Sequence, residues 1–403
     1  MRKIIFVNRY FYPDFSATSQ MLSDLAFDLA KDGVNVHIVT GRQLYDDPST
    51  LLPSTESIND VKIHRIWATR FGRGRLLGRA LDYLTFYLSA GMRLLRLVDR
   101  EDLVVAKTDP PLISAVVAIA TRMRSARFIN WVQDLFPEVA AALNIKGVNG
   151  FAFRLIRRIR NMSLRTAVMN VALGELMAEC LANQKVGRDR IKIIPNWADE
   201  QELVPVPAHG NPLRIEWGLR DRFVVGYSGN LGRAHEFDTM LAAAESLRED
   251  SAIIFLIVGG GAQLDRLKTN VAKRGLRNFV FRPYQPRDKL AQSLSAADVH
   301  LISLKPQLEG MIVPSKFYGI AAVGLPTIFI GQKSGEIASI LLREDCGFAV
   351  EIGDFANLCT NLQLLRNDES LRSRLGANAR RAFETQFSRR KATAAWRELL
   401  KNC

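Results

Sequence analysis

The chain has 403 residues, 48% hydrophobic and 24% charged, with a formal net charge of +14. That composition excludes a disordered or fibrous chain and suits two globular domains. The positive balance points to anionic partners: nucleic acid, phosphorylated small molecules or an anionic membrane face.

The chain opens with KIIFVN, a buried-strand pattern, followed by the loop RYFYPDFSATSQ. MLSDLAFDLAKDG then places apolar residues at helical spacing and ends on Gly33, and VNVHIVT is a second strand. Strand, helix, strand is a βαβ unit. DLVVAKT (102–108) and ARFINWVQ (126–133) continue as strands around the helix PLISAVVAIATRMR, and VMNVALG and IKIIPN are further strands. Residues 199–213, DEQELVPVPAHGNPL, carry three prolines and no periodicity, which predicts a linker. Alternation restarts with FVVGYSGN (223–230), a helix near 237–248, AIIFLIVGGG (252–261) and a helix over 262–274. NFVFRPY, VHLISL, PTIFIG and CGFAVEIGD supply later strands, and 369–401 is helical and basic. The fold class is therefore α/β, with two doubly wound domains facing across a cleft. The expected division is 1–198, linker 199–213, 214–385, and a C-terminal helix, 386–403, returning to the first domain.

The N-terminus lacks the apolar run and cleavage site of a signal peptide. No stretch reaches roughly 18 apolar residues, so membrane association is expected to be peripheral. The cysteines at 180, 346, 359 and 403 lack CxxC spacing, which fits a reducing cytoplasm rather than a zinc site or a disulfide framework. The paired aspartates of YDDP (45–48) fit a turn better than a metal motif, so no metal ligand is expected.

Three loops follow strands and open helices. YSGNLGRAHEF holds Gly229, Asn230 and Gly232; VGGGAQL holds Gly259 and Gly260; LEGMIVPSK holds Gly310, Met311, Ile312 and Ser315 before Lys316. Glycines let main chain approach a ligand, and a helix start offers free N–H groups to phosphate. None is a P-loop or a complete GxGxxG, so a dinucleotide site is weakly supported.

The order of these motifs resembles glycosyltransferase family 4 over nearly the whole chain. IPN at 194–196 matches its PNG turn with Trp197 for Gly, GNLGRAHEF its glycine loop, SAADVHLISLK its AAD motif, and LEGMIVPSKFYGIAAVGLP its glutamate segment. WVQDLFPE and VPSK are similar to a branch that builds O-antigen, capsule and exopolysaccharide, including colanic acid and N-acetylfucosamine transferases. The resemblance implies a GT-B fold and retaining, metal-independent, cofactor-free transfer from a nucleotide sugar, UDP-linked by expectation. It also implies a polyprenyl-diphosphate-linked acceptor at the inner face of the cytoplasmic membrane.

Carried over residue by residue, Gly229, Asn230, Gly232, Gly259, Gly260, Gly310, Met311, Ile312, Ser315 and Asn196 would bind the donor, and Ser16, Ala17 and Thr18 the acceptor. Gln133, Asp134, Arg233, Glu309 and Lys316 would act at the reacting bond. The family's paired glutamates count to Met311 and Gly319, leaving Glu309 displaced by two and the ribose carboxylate missing. Lys316 cannot accept from a ribose hydroxyl but can pair with a diphosphate, with Arg233 beside it and Lys305 in reserve. Gln133 replaces the family histidine that reaches the sugar near its sixth carbon, which fits a 6-deoxy-N-acetylhexosamine.

Two stretches, 65–97 and 150–165, mix arginines with apolar residues, as an anionic bilayer interface requires. Arg73, Arg75, Arg79, Arg157 and Arg158 are the expected headgroup contacts. The competing reading is a solvated helix face packed into the domain. Nucleic acid is disfavoured because no RRM, KH or helix-turn-helix signature accompanies the charge. A UDP-sugar 2-epimerase-like enzyme or a non-catalytic relative remains as an alternative.

Overall fold

The computed structural model describes every residue except 1, 15, 45, 46, 48, 49, 73–75 and 146–149. It divides into two units, Met1–Pro195 with Thr393–Cys403, and Asn196–Ala392.

Among the described residues the first unit holds β1 (Lys3–Val7), β2 (Asn35–Gly41), β3 (Thr55–Ile58), β4 (Val61–Ile66), β5 (Leu103–Lys107), β6 (Arg127–Trp131), β7 (Met169–Ala172) and β8 (Ile191–Ile193). They form one sheet in the order β3-β4-β2-β1-β5-β6-β7-β8. All pairings are parallel except β3 with β4. Runs such as IIFV and LVVA are apolar throughout because helices cover both faces of a parallel sheet. Ile5, Val7, Val39, Val104 and Ala106 pack with Phe86, Ala90, Leu94 and Val117 from the covering helices.

Helix Ala17–Lys31 buries Met21, Leu22, Leu25, Ala26 and Leu29, the one-face spacing seen in its sequence. It stops at Gly33, whose φ of +81° an L side chain resists. The last residues join this unit through their side chains. Trp396 is fully buried with its ring 4.7 Å from that of Trp131, and Thr393 Oγ1 donates to Asp28 Oδ2 at 2.9 Å.

The second unit holds β9 (Phe223–Asn230), β10 (Ile253–Gly260), β11 (Phe279–Arg282), β12 (Val299–Ser303), β13 (Thr327–Ile330) and β14 (Gly347–Val350), all parallel. Their order is β11-β10-β9-β12-β13-β14, the 3-2-1-4-5-6 winding of a dinucleotide-binding sheet. The winding reverses between β9 and β12, so the crevice beyond their carboxyl ends is the place for a ligand.

Residues 199–213 are not the free linker expected from their prolines. They belong to the second unit, with Leu203, Asn211 and Leu213 buried. Asn211 Oδ1 accepts from the backbone N–H groups of Leu213 and Arg214 (3.0 and 3.2 Å), capping a short helix, and its Nδ2 donates to Gln292 O at 2.7 Å. The boundaries accordingly fall at 195/196 and 392/393, rather than around a separate strap. No helix of the described residues is long and apolar enough to cross a membrane.

Candidate functional site

At the switch point of the second sheet, β9 ends in Gly229 and Asn230, and β10 in Gly259 and Gly260. These loops touch through main chain. A β-carbon on Gly259 would lie 2.2 Å from Gly229 O, and Gly259 has φ +134°. Leu231 N–H donates to Gly260 O at 2.7 Å, and Gln263 Nε2 donates to the carbonyls of Gly232 and His235 (2.7 and 3.0 Å). His235 Nδ1 lies 2.5 Å from Ser303 O at the end of β12. Burial, then the Lys316 charge, pulls its pKa down to about 4, so this imidazole is neutral near pH 7 and its Nδ1–H donates.

Lys316 opens the helix Lys316–Ala322 and reaches back to this floor. Its Nζ donates to Asn230 O at 3.0 Å and sits 4.9 Å from the Tyr227 ring centroid. A β-carbon on Gly229 would come within 2.7 Å of that Nζ, so glycine there is what makes room for the ammonium. Among the described residues no carboxylate pairs with Lys316, and burial lowers its pKa to about 7. Ser315 stands at the cap position of this helix without a side-chain cap bond. Gly310 takes φ +72°, leading through Met311 and Ile312 toward it. Arg233 is exposed beside the glycine loop and Lys305 is half-buried, its N–H donating to Ala234 O at 3.0 Å.

Glu309 has one oxygen bonded and one left over. Its Oε2 accepts from Glu336 N–H at 3.3 Å, at the start of helix Glu336–Arg343, and Oε1 is buried without a hydrogen-bond partner among the described residues. Burial raises this carboxyl to about 7. Asn196 is buried, its Oδ1 unbonded among the described residues.

In the first unit, Gln133 and Asp134 follow β6. Gln133 N–H donates to Thr108 Oγ1 at 3.1 Å, while its Nε2 and the Oδ1 of Asp134 are buried and unbonded among the described residues. Burial, and then the Asp109 charge, raises Asp134 to about 6. Ser16 binds Asp14 Oδ1 through both N–H (2.8 Å) and Oγ (2.5 Å), which sets the entry to helix Ala17–Lys31. Ala17 is exposed, and Thr18 O accepts from Lys107 Nζ at 2.8 Å. Lys107 was missed in the sequence. It is fully buried at the end of β5, 3.8 Å from the Trp131 ring centroid, and burial lowers its pKa. The signal was a lysine closing the apolar run LVVAK.

The basic apolar stretches form helices Leu76–Leu97 and Gly150–Thr166. Helix Ile113–Met123 packs against both: Gly91 approaches Val116, and Ser114 Oγ and Ser163 Oγ are 2.9 Å apart. Their outer faces are apolar. Leu77, 82% exposed, Leu81, Leu84, Leu88 and Met92 follow one helical face, joined by Ile119, Met123, Phe151, Leu155 and Met162. Arg79, Arg157 and Arg158 are exposed among them, whereas Arg73 and Arg75 lie outside the described residues, as does most of the YDDP turn.

Two mainly parallel α/β sheets, each carrying a candidate site beyond its strand ends, define a protein of the two-domain GT-B class. Solved structures agree at the level of fold. Sucrose-phosphate synthase from Thermosynechococcus elongatus superposes with TM-score 0.79 at 16% identity, covering 100% of this chain and 99% of that one. Anabaena HepE in complex with UDP and glucose gives 0.75 at 17%, covering both chains fully.

Residues 213–382 match the family of glycosyl transferases group 1, and residues 17–197 match the glycosyl transferase 4-like domain. The chain belongs to this glycosyltransferase family. Relatives include the probable glycosyltransferase WbjE of Pseudomonas aeruginosa, 28% identical over 69% of this chain and 70% of that one. The putative colanic acid biosynthesis glycosyl transferase WcaI of Escherichia coli is 27% identical over 55% of each.

Proposed function

We propose that the protein is a retaining, metal-independent transferase in bacterial surface polysaccharide synthesis. It moves a sugar from a UDP-linked donor to a polyprenyl-diphosphate-linked saccharide, at the inner face of the cytoplasmic membrane. The observation that carries the donor half is Lys316, an amine paired with no carboxylate among the described residues and held by the glycine loops at the switch point. The donor's C1–O bond breaks, and the bonding pair leaves as new charge on the diphosphate. Lys316 and the main-chain N–H groups meet that charge, stabilising the transition state more than the ground state. Arg233, exposed three residues after Asn230, is the second cation assigned to that charge. The acceptor hydroxyl attacks from the same face and passes its proton to the departing phosphate oxygen.

The UDP bound in HepE and the colanic acid assignment of WcaI support the donor base and the pathway class. The exposed apolar faces and their arginines suit an anionic bilayer interface, with the lipid-linked acceptor presented there. Gln133, which keeps hydrogen bonding without a titratable ring, favours a 6-deoxy-N-acetylhexosamine donor.

The test is a panel of UDP-sugars, incubated with EDTA and with or without lipid-linked acceptor. The expected result is acceptor-dependent UDP release and a product that keeps the donor's anomeric configuration. Epimerised nucleotide sugar formed without acceptor would overturn the reading, and preference for glucose or galactose donors over 6-deoxy sugars would overturn the sugar assignment alone.

A further inference from the structure

The loop after β6 carries Gln133 and Asp134, and a contact outside the reaction holds its exit. Glu138 opens the short helix Glu138–Ala142, four residues after Asp134. Its Oε1 accepts from Arg160 Nη2 on helix Gly150–Thr166. Of the arginines on that helix, Arg154, Arg157, Arg158 and Arg165 are exposed, and Arg160 alone is buried. The helix is a fixed post. Asn161 Nδ2 donates to Gln184 Oε1 at 2.9 Å, and Arg165 Nε–H to Gln184 O at 3.0 Å. Asn130, within β6, donates Nδ2 to Asn170 Oδ1 (2.9 Å) and to Ser163 O (3.4 Å), while Asn170 Nδ2 donates to Leu164 O at 2.9 Å.

The sheet sets the loop's entry: Val132 N–H donates to Val171 O at 2.9 Å and Gln133 N–H to Thr108 Oγ1 at 3.1 Å. Glu138 and Arg160 tie its exit to the helix that β6 is already bonded to, with Leu135 and Ala140 buried alongside. The pair is poorly built for stability. Glu138 Oε2 and Arg160 Nε and Nη1 are buried and unbonded among the described residues. A buried ion pair offsets its desolvation cost only with good geometry and further hydrogen bonds, and apolar residues of similar volume are often neutral or stabilising in its place. What the pair supplies is direction, because a carboxylate held on a guanidinium fixes where the loop ends. Misplacing a reacting group by about 1 Å can cost about a hundredfold in rate.

We infer that Glu138 and Arg160 are positioning residues for the sugar transfer proposed above, on which this reading rests: their ion pair holds Gln133 and Asp134 where those side chains act. The test compares wild type with Glu138→Gln and with a doubly apolar variant, Glu138→Met combined with Arg160→Met. Each is measured by thermal melt, UDP titration, hydrogen exchange of the 132–139 amides, and kcat with the preferred UDP-sugar and lipid-linked acceptor.

The double variant should melt and bind UDP as wild type does, because no charge is left unpaired and the UDP seat lies in the second unit. Its loop amides should exchange faster than those of wild type, and its kcat should fall roughly tenfold to a hundredfold. A purely structural pair would leave kcat untouched once the melt is preserved. Glu138→Gln strands the Arg160 charge, so its melt should drop as well; it carries the same comparison of loop exchange and kcat if the double variant does not fold. A variant with wild-type loop exchange and wild-type kcat would overturn the inference and leave the transferase reading standing, as would a loss of turnover no larger than the loss of folded protein. A wild type that transfers no sugar, with loop exchange quickened in the double variant, would do the reverse: the anchor would stand and the transfer would fall.

Discussion

Lys316 makes the proposed donor site sensitive to alkali in a way that can be worked out beforehand. Burial sets its pKa at about 7 with the site empty. Only the ammonium form pairs with a diphosphate, so donor binding should weaken as pH rises through 7. With that pKa, the protonated fraction is about one half at pH 7 and about one hundredth at pH 9. UDP affinity should therefore drop by about fiftyfold over that interval if the lysine stays protonated in the complex. Keeping half of the complexes protonated at pH 9 requires about 2.7 kcal/mol of coupling, within reach of a charge-assisted hydrogen bond worth about 1.5–3 kcal/mol, and the drop is then about twenty-fivefold. A weaker coupling shrinks the drop to about tenfold. Calorimetric titration of UDP between pH 7 and 9 reads this directly, because the terminal phosphate ionises near pH 6 and is already charged. Lys316→Arg, whose guanidinium stays charged, should bind with no slope; Lys316→Ala should bind weakly at every pH and lose about a hundredfold to a thousandfold in kcat. A wild-type affinity that changes less than twofold, or a Lys316→Arg variant with the same slope, would refute the reasoning.

Gly259→Ala should destabilise the second unit by about 2 kcal/mol or more, read by denaturant melts, since the new β-carbon meets Gly229 O at a φ of +134°. Stability should also fall with acid through a buried histidine pair. His64 Nδ1 accepts from Arg93 at 2.6 Å, so its Nε2–H donates to His37 Nδ1 at 2.9 Å, and both rings are held neutral. Burial lowers both pKa values to about 4, from about 6.5 in the unfolded chain. The contribution is therefore full above pH 6.5 and lost as pH falls toward 4. Thermal melts across that window should show the loss, and replacing both rings with phenylalanine should flatten it. Leu88→Glu, at a 60% exposed position, should leave the melt unchanged and weaken binding to anionic vesicles by roughly tenfold or more. Equal partitioning of variant and wild type would count against a membrane role for that face.

Legibility followed how local the information was. Strands such as FVVGYSGN stood out because burial on both faces makes them apolar end to end, and the two-domain α/β reading followed from their alternation. The strands at Thr55–Ile58 and Val61–Ile66 went unread because polar and charged residues interrupt their apolar ones. His64 and Arg65 are buried there by partners on other segments, including His37, Arg93 and Glu56. The prolines of 199–213 read as a linker, while the Asn211 side chain that folds the segment down bonds a carbonyl 81 residues away. Lys316 was legible as a cation at a helix start, but its closeness to Asn230 bridges 86 positions. Glu309 gave no sequence sign of its helix at Glu336, because that contact exists only once β12 and β13 lie side by side.

The contact between Gly229 and Gly259 bears on how this protein can change over time. The floor of the proposed donor site is shaped by atoms that every amino acid carries, and its specification lies in what is left out at two positions. Drift can rewrite most of the surrounding chemistry without altering that floor, provided those two gaps stay empty. On the proposed function, a new donor preference is within reach of substitutions around the rim, while the floor keeps its dimensions.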